Sequence, residues 1–308
     1  MMQREIPGKD GNMNIESAIT MKGLTKKFRN FKLDVEELQI PQGFATALIG
    51  ENGAGKSTLI NILAGIRMDY KGEIDYFRGE EKDEVIRENI GYTGPSGYFM
   101  PHWTVKQVGE VNELLFDQFH KDRYENLCEE LGVSVTDGLE KKGKAVSNLS
   151  DGMRMKVMLA GVFARDTKML LLDEPASPLD PLMRDKLCSM IREYIEEGSG
   201  NKSVLFSTHN ISDMENVTDY AIIMECGKVV EQGFVEDLKE KYVLVKGEPV
   251  DAAKAEEILY SFQKNSYGYE GLCLAEDLDK LAGFDISTET PSLSQISVAV
   301  MKKFTTLK

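Results

Sequence analysis

The sequence predicts an α/β fold: a parallel sheet covered by helices, with an antiparallel β subdomain before it, a helical subdomain interrupting it and a small C-terminal accessory region after it. Three observations carry that prediction. Apolar runs of strand length, Phe44 to Ile49, Met169 to Asp173, Ser203 to Ser207 and Tyr220 to Met224, recur between stretches of helical character, the pattern of parallel strands buried on both faces. Short β-rich runs dominate from Ile15 to Phe77, among them Phe31 to Ile40 and Gly72 to Phe77. The run ending at Ile49 leads straight into a glycine-rich turn and then a helix.

Taken in order, Met1 to Asn14 (residues 1–14) is polar and reads as a disordered tail. A helix starts at Lys56 and stops near Gly65, where glycine suits a C-terminus. The helical subdomain covers about 95–165, with Trp103 to Arg165 reading as helix. Its clearest face is Met155, Met158, Leu159, Val162 and Phe163, spaced i, i+3, i+4, i+7, i+8. A further helix runs from Pro181 to about Glu197 and is stopped by Gly198; a short one follows Asn210. Cys226-Gly227 turns the chain into Lys228 to Glu231, a final hairpin strand. Residues 15–234 thus read as one domain. Residues 235–308 are charged and weakly periodic, end in a helix-like stretch from Ser292 to Phe304, and carry no motif.

Composition excludes several classes. The formal charge of -14 over 308 residues would repel a polyanion, so no nucleic-acid partner is expected. No run of about 18 apolar residues is long enough to span a bilayer, and the N-terminus is too polar for a signal peptide, which points to the cytoplasm. Cys128, Cys188, Cys226 and Cys273 are far apart and fit neither a disulfide framework nor a metal site. Only His102, His120 and His209 occur, too few for a multi-histidine centre.

Gly50-Glu51-Asn52-Gly53-Ala54-Gly55-Lys56-Ser57 satisfies G-x-x-x-x-G-K-[ST] after an apolar strand and at a helix start. The chemistry requires those residue types. Glycines let the backbone wrap phosphates, the helix N-terminus offers free N–H groups, Lys56 meets β and γ oxygens, and Ser57 can ligate Mg²⁺. ATP and Mg²⁺ are the expected ligands. Met169 to Leu172 ends in Asp173 and Glu174, as a buried strand does when its tip reaches a ligand crevice. There Asp173 can hold Mg²⁺ and Glu174 can polarise an attacking water.

These motifs together make the sequence resemble the ABC-transporter ATPase family, from about Ile15 to Gly233. The phosphate loop through Thr58 is followed by Leu149-Ser150-Asp151-Gly152-Met153, Leu172-Asp173-Glu174-Pro175, Ser177-Pro178-Leu179-Asp180 and Ser207-Thr208-His209. The resemblance implies an ABC cassette of the P-loop NTPase class that hydrolyses ATP. Lys56, Glu174 and His209 would be the catalytic group, with His209 as a switch on the γ-phosphate. Gly50 to Thr58 would bind the nucleotide, and Ser57 and Asp173 the metal. Ser150 and Gly152 would contact ATP held by a second cassette; a plain serine N-cap is the other reading of Ser150. Phe28 falls where the family stacks an aromatic on adenine, with core packing as its alternative and Phe31 as a competitor. Asp180 would communicate across the dimer while also capping the helix from Pro181.

The run from Leu149 through Pro181 resembles bacterial ABC-2 exporter cassettes, implying a separate transmembrane permease subunit and a peripheral location at the inner face of the cell membrane. Tyr98-Phe99-Met100-Pro101-His102-Trp103 stands where the family docks its membrane partner, and packing within the helical subdomain is the second reading. The sequence departs from the family at Pro95, where a glutamine is usual, and at Asp151 and Met153 in the signature. A carboxylate near a γ-phosphate costs Coulomb energy unless a cation such as Arg154 meets it. The departures favour slow turnover, and keep open a regulatory cassette that scarcely hydrolyses. A non-transport ATPase acting on DNA or ribosomes is disfavoured by the acidic surface, the single motif set and the absence of a long heptad insertion.

Overall fold

A computed structural model describes residues 16–80, 82–94, 99–100, 102–135 and 145–306. Three strands form the antiparallel subdomain: β1 (Ser17–Lys27), β2 (Lys32–Pro41) and β4 (Lys71–Tyr76), in the order β2-β1-β4. Between β2 and β4 come β3 (Ala45–Ile49) and helix α1 (Lys56–Leu63). Helix α2 (Asp83–Glu88) and β5 (Ile90–Thr93) follow. The helical subdomain contributes α3 (Val105–Leu115), α4 (Lys121–Glu130) and α5 (Asp151–Phe163). Then come β6 (Met169–Leu172), α6 (Pro181–Glu197), β7 (Ser203–Thr208), β8 (Tyr220–Glu225) and β9 (Lys228–Phe234).

The main sheet has the order β5-β6-β7-β3-β8-β9, parallel except for β9. Its central strands β6, β7 and β3 are buried along their whole length, and the period of two sorts side chains into two cores. Leu48, Met169, Leu171, Leu205, Ile222 and Met224 pack under α1 and the antiparallel subdomain. Ala47, Leu170, Leu172, Val204, Phe206 and Ile223 face the helical side. All five residues of the predicted α5 face are buried, and Met155, Leu159, Val162 and Phe163 lie in the core there.

Local chemistry sets the helix starts. Thr104 and Gln107 form a reciprocal capping box on α3. Ser150 Oγ caps α5, and Asp180 caps α6 ahead of Pro181. Among the described residues, the long helical stretch expected from Trp103 to Arg165 is broken into the helices α3, α4 and α5, with a bridge between Phe119 and Arg165 tying the α3–α4 connection to the end of α5. The short helix expected after Asn210 is a pair of 3-10 turns, Ile211–Asp213 and Glu215–Val217.

The C-terminal region holds more structure than its sequence suggested. Helix α7 (Val235–Lys241) leads to β10 (Tyr242–Gly247), α8 (Ala252–Ala255), β11 (Tyr260–Lys264), β12 (Tyr269–Leu274), β13 (Ile286–Glu289) and α9 (Leu293–Thr306). The strands pair antiparallel in the order β11-β12-β10-β13. The weak alternation of β11 and β13 follows from their edge positions, where most residues stay exposed or half-buried. Leu293, Ile296 and Ala299 of α9 are fully buried in the same core as the helical side of the main sheet. The N-terminal tail, Pro95, Ser96, Tyr98 and Pro101 lie outside the described residues. Phe99 and Trp103 pack against the core, whereas Met100 is exposed.

Candidate functional site

Strands β6, β7 and β3 are parallel neighbours, so their C-terminal tips line up at one edge of the sheet, where open α/β folds bind ligands. Those tips carry Asp173 and Glu174, then His209, then the loop from Gly50. Three separated motifs therefore meet because of strand order.

The loop is shaped by close approach. A Cβ on Gly50 would stand 2.5 Å from the Met224 carbonyl, and Gly55 has φ +109° with the Phe31 ring 2.9 Å from where a Cβ would lie. Gly227 N–H donates to the Ala54 carbonyl at 2.9 Å, so the β8–β9 turn braces the loop. Lys56 is buried; its Nζ donates to the carbonyls of Gly50 at 2.7 Å and Glu51 at 3.2 Å and stands 3.4 Å from Glu174 Oε1. That oxygen takes no aligned hydrogen bond among the described residues, so its tie to the ammonium is an ion pair, while the two carbonyls position the ammonium.

Glu174 has φ +50°, a conformation costly for a residue with a side chain. Ser207 holds it there. The hydroxyl accepts the Glu174 N–H at 2.8 Å and donates to Asp173 Oδ1 at 2.6 Å. Ser207 is fully buried, and in the sequence it is one of three hydroxyl residues of β7, with Ser203 and Thr208, so nothing there marks it for this role. Glu174 Oε2 lies 2.8 Å from His209 Nδ1. Asp173 is 4% exposed and has no cationic partner among the described residues. A buried carboxylate without a counter-charge, immediately before Glu174 at the strand tip, is a fit for a divalent cation.

A cleft of about 820 Å³ opens over the loop, lined by Asn52, Gly53, Gly55 to Thr58 and Glu174, with Phe28 and Phe31 at the rim. The two rings are 5.9 Å apart, but only Phe28 is exposed; Phe31 packs into the core under Gly55. Ser150 and Gly152 do not line this cleft. They stand at the N-terminus of α5, where a Cβ on Gly152 would meet the Pro178 carbonyl at 2.7 Å, next to the turn leading to Asp180. Asp151 is paired with Arg154.

A strand, a glycine loop with a buried lysine, and two acids with a histidine on adjacent strand tips define a P-loop nucleotide-binding ATPase. Comparison with known proteins gives the family. The family model described as ABC transporter matches residues 33–177. The probable sulfate/thiosulfate import ATP-binding protein CysA of Chlorella vulgaris is 30% identical over 234 residues, covering 72% of this chain and 94% of that protein. A solved ATP-binding subunit of an ABC transporter superposes with a TM-score of 0.60 at 25% identity, over 72% of this chain and 92% of the other. The cbiO1 protein of Clostridium perfringens, part of the ABC transporter complex cbiONQ, gives 0.56 at 25% identity, over 72% and 90%. This chain belongs to the ATP-binding subunits of ABC transporters. No described helix is long and apolar enough to cross a membrane.

Proposed function

We propose that the chain pairs head to tail with a second ABC cassette, hydrolyses ATP at the shared interface, and drives export through a separate transmembrane permease at the inner face of the cell membrane. One observation carries the shared-site reading. Lys56, Ser57 and Glu174 line one cleft, His209 is tied to Glu174 and Asp173 precedes it at the same strand tip, while the α5 N-terminus bearing Ser150 and Gly152, a natural anion site, does not line that cleft.

In this reading Phe28 stacks on adenine and the loop N–H groups receive the phosphates. Lys56 gives up its ties to Gly50 and Glu51 for the β and γ oxygens. Ser57 and Asp173 would hold Mg²⁺, which would neutralise charge on the phosphate oxygens. Glu174 takes a proton from the attacking water, and His209 fixes the carboxylate through Oε2 while reaching toward the γ-phosphate. Ser150 and Gly152 of the other cassette close the far side. The Asp151–Arg154 pair answers the Coulomb objection to an acidic signature, which favours hydrolysis over a regulatory cassette.

ATP turnover with Mg²⁺ is the direct test. Glu174→Gln is expected to keep ATP binding and to lose on the order of a hundredfold or more in kcat. A wild type no faster than that variant would refute the hydrolytic reading. The export direction rests on the likeness of Leu149 to Pro181 to ABC-2 cassettes, whereas the Chlorella vulgaris relative is named as an importer. Export predicts a neighbouring gene for a multi-span membrane protein and none for a solute-binding protein; finding the latter would reverse the direction.

A further inference from the structure

Arg184 lies in the first turn of α6 and belongs to none of the motifs above. Its Nε donates to two carbonyls of the preceding turn, Leu179 at 2.9 Å and Ala176 at 3.2 Å. Its Nη1 is 2.8 Å from Asp213 Oδ2. That same oxygen accepts from Asn210 Nδ2 at 3.1 Å, and Asn210 in turn exchanges hydrogen bonds with Thr208, directly before His209. One guanidinium therefore ties the turn Ser177 to Asp180 to the segment that follows His209. Cys188 and Arg192, one and two turns further along the same face of α6, also reach this segment, at the carbonyls of Asp213 and Asn216. Arg184 alone also grips the turn.

The arrangement suits a guanidinium and not an ammonium. The planar fork has five donors in fixed directions, so it can hold two carbonyls with one nitrogen and a carboxylate with another. The two segments it joins face opposite halves of the proposed assembly. His209 touches Glu174 of its own site, and the Pro178 carbonyl lies against Gly152, whose helix in the two-cassette reading faces the other nucleotide.

We infer that Arg184 is a positioning residue, which locks the Ser177–Asp180 turn and the His209 segment into one unit so that closure at one nucleotide is felt at the other. The inference rests on the two-cassette reading for its consequence, but the tie itself can be tested without it. Wild type, Arg184→Gln, Arg184→Lys, Asp213→Asn and the Arg184→Gln/Asp213→Asn double variant are compared in the full chain. Hydrogen exchange of the nucleotide-free protein is expected to show faster exchange in both 176–180 and 209–214 in each single variant, with no protection lost in β3 or β6. Loosening of only one segment, or of neither, would overturn the tie whether or not the protein hydrolyses ATP.

For turnover, the expected result is a loss in kcat of roughly tenfold to a hundredfold in Arg184→Gln with KM for ATP unchanged, since the phosphate loop is untouched. Arg184→Lys should stay impaired, and the double variant should be no slower than Arg184→Gln. A wild-type kcat in Arg184→Gln, full rescue by lysine, or additive losses would overturn the inference. A wild type that fails to outpace Glu174→Gln indicts the hydrolytic reading instead, and the exchange result then decides the tie.

Discussion

Glu174 shows how the site is assembled one residue at a time. Its positive φ of +50° is sustained by the Ser207 hydroxyl, which also steadies Asp173. Ser207→Ala would leave the Glu174 N–H unpaired and free the carboxylate pair. The expected outcome is a loss of at least about tenfold in kcat and a destabilisation of about 1–3 kcal/mol, read by turnover and by thermal unfolding. The sequence made Asp173, Glu174 and His209 legible because each lies at a strand tip in a motif. It did not make Ser207 legible, because a buried serine inside a β-rich run looks the same whether it serves a backbone N–H or a core turn. Phe28 and Phe31 were likewise indistinguishable by spacing, and only exposure separates them.

Cysteine chemistry gives a second check at this scale. Burial pushes the Cys128 thiol up to about 11, and it raises Cys188 and Cys273 as well. A raised thiol pKa leaves the unreactive protonated form dominant at pH 8, so alkylation there should be confined to exposed Cys226. Mass mapping of iodoacetamide adducts would test this. Labelling of Cys128 in the native protein at a rate near that of Cys226 would contradict the burial.

At the scale of elements, the decisive packing is that of α9. The boundary expected at residue 235 marks a real change in sequence character, yet the last helix returns to bury Leu293, Ile296 and Ala299 in the cassette core. Its first N–H also meets Glu215 at 2.9 Å, in the 3-10 turn after His209. The helix-like periodicity of Ser292 to Phe304 was readable; its docking place was not, because an amphipathic stripe does not name the surface it covers. Ile296→Ala should cost about 2–5 kcal/mol and lower the cassette's own unfolding temperature. A cassette transition that stays put would mean the C-terminal region is energetically separate.

A smaller element-scale contact is pH-dependent. The His120 ring beside Asp166 is the leading cause that holds its carboxyl below the usual range, with Lys202 adding to it. A depressed carboxyl pKa stabilises the fold above the unfolded value and loses that contribution as pH falls through the folded one. Asp166 is half exposed, so Asp166→Asn should change stability at pH 7 by no more than about 1 kcal/mol. Any difference should vanish in acid, as measured by denaturant unfolding at both pH values.

For the whole molecule, the parallel sheet explains the separation on which the two-cassette proposal rests. The strand tips bring the phosphate loop, the acids and His209 to one edge of the sheet, and the α5 N-terminus does not line the cleft over that loop. The fold class, the sheet and the antiparallel subdomain were legible because buried parallel strands and a phosphate loop leave strong local signals. The C-terminal sheet was not, since short edge strands with exposed side chains leave weak ones.

Complementation between two inactive variants tests the shared site most directly. Lys56→Ala removes the phosphate-loop lysine, and Ser150→Arg fills the exposed α5 N-terminus at a capping cost of about 1 kcal/mol. Each variant alone should be inactive with ATP and Mg²⁺. Mixed, they can form one intact site from the Ser150→Arg chain's loop and the Lys56→Ala chain's signature, so turnover should reappear. A mixture as inactive as its parts, or a Ser150→Arg variant as fast as wild type, would contradict a nucleotide site built by two cassettes.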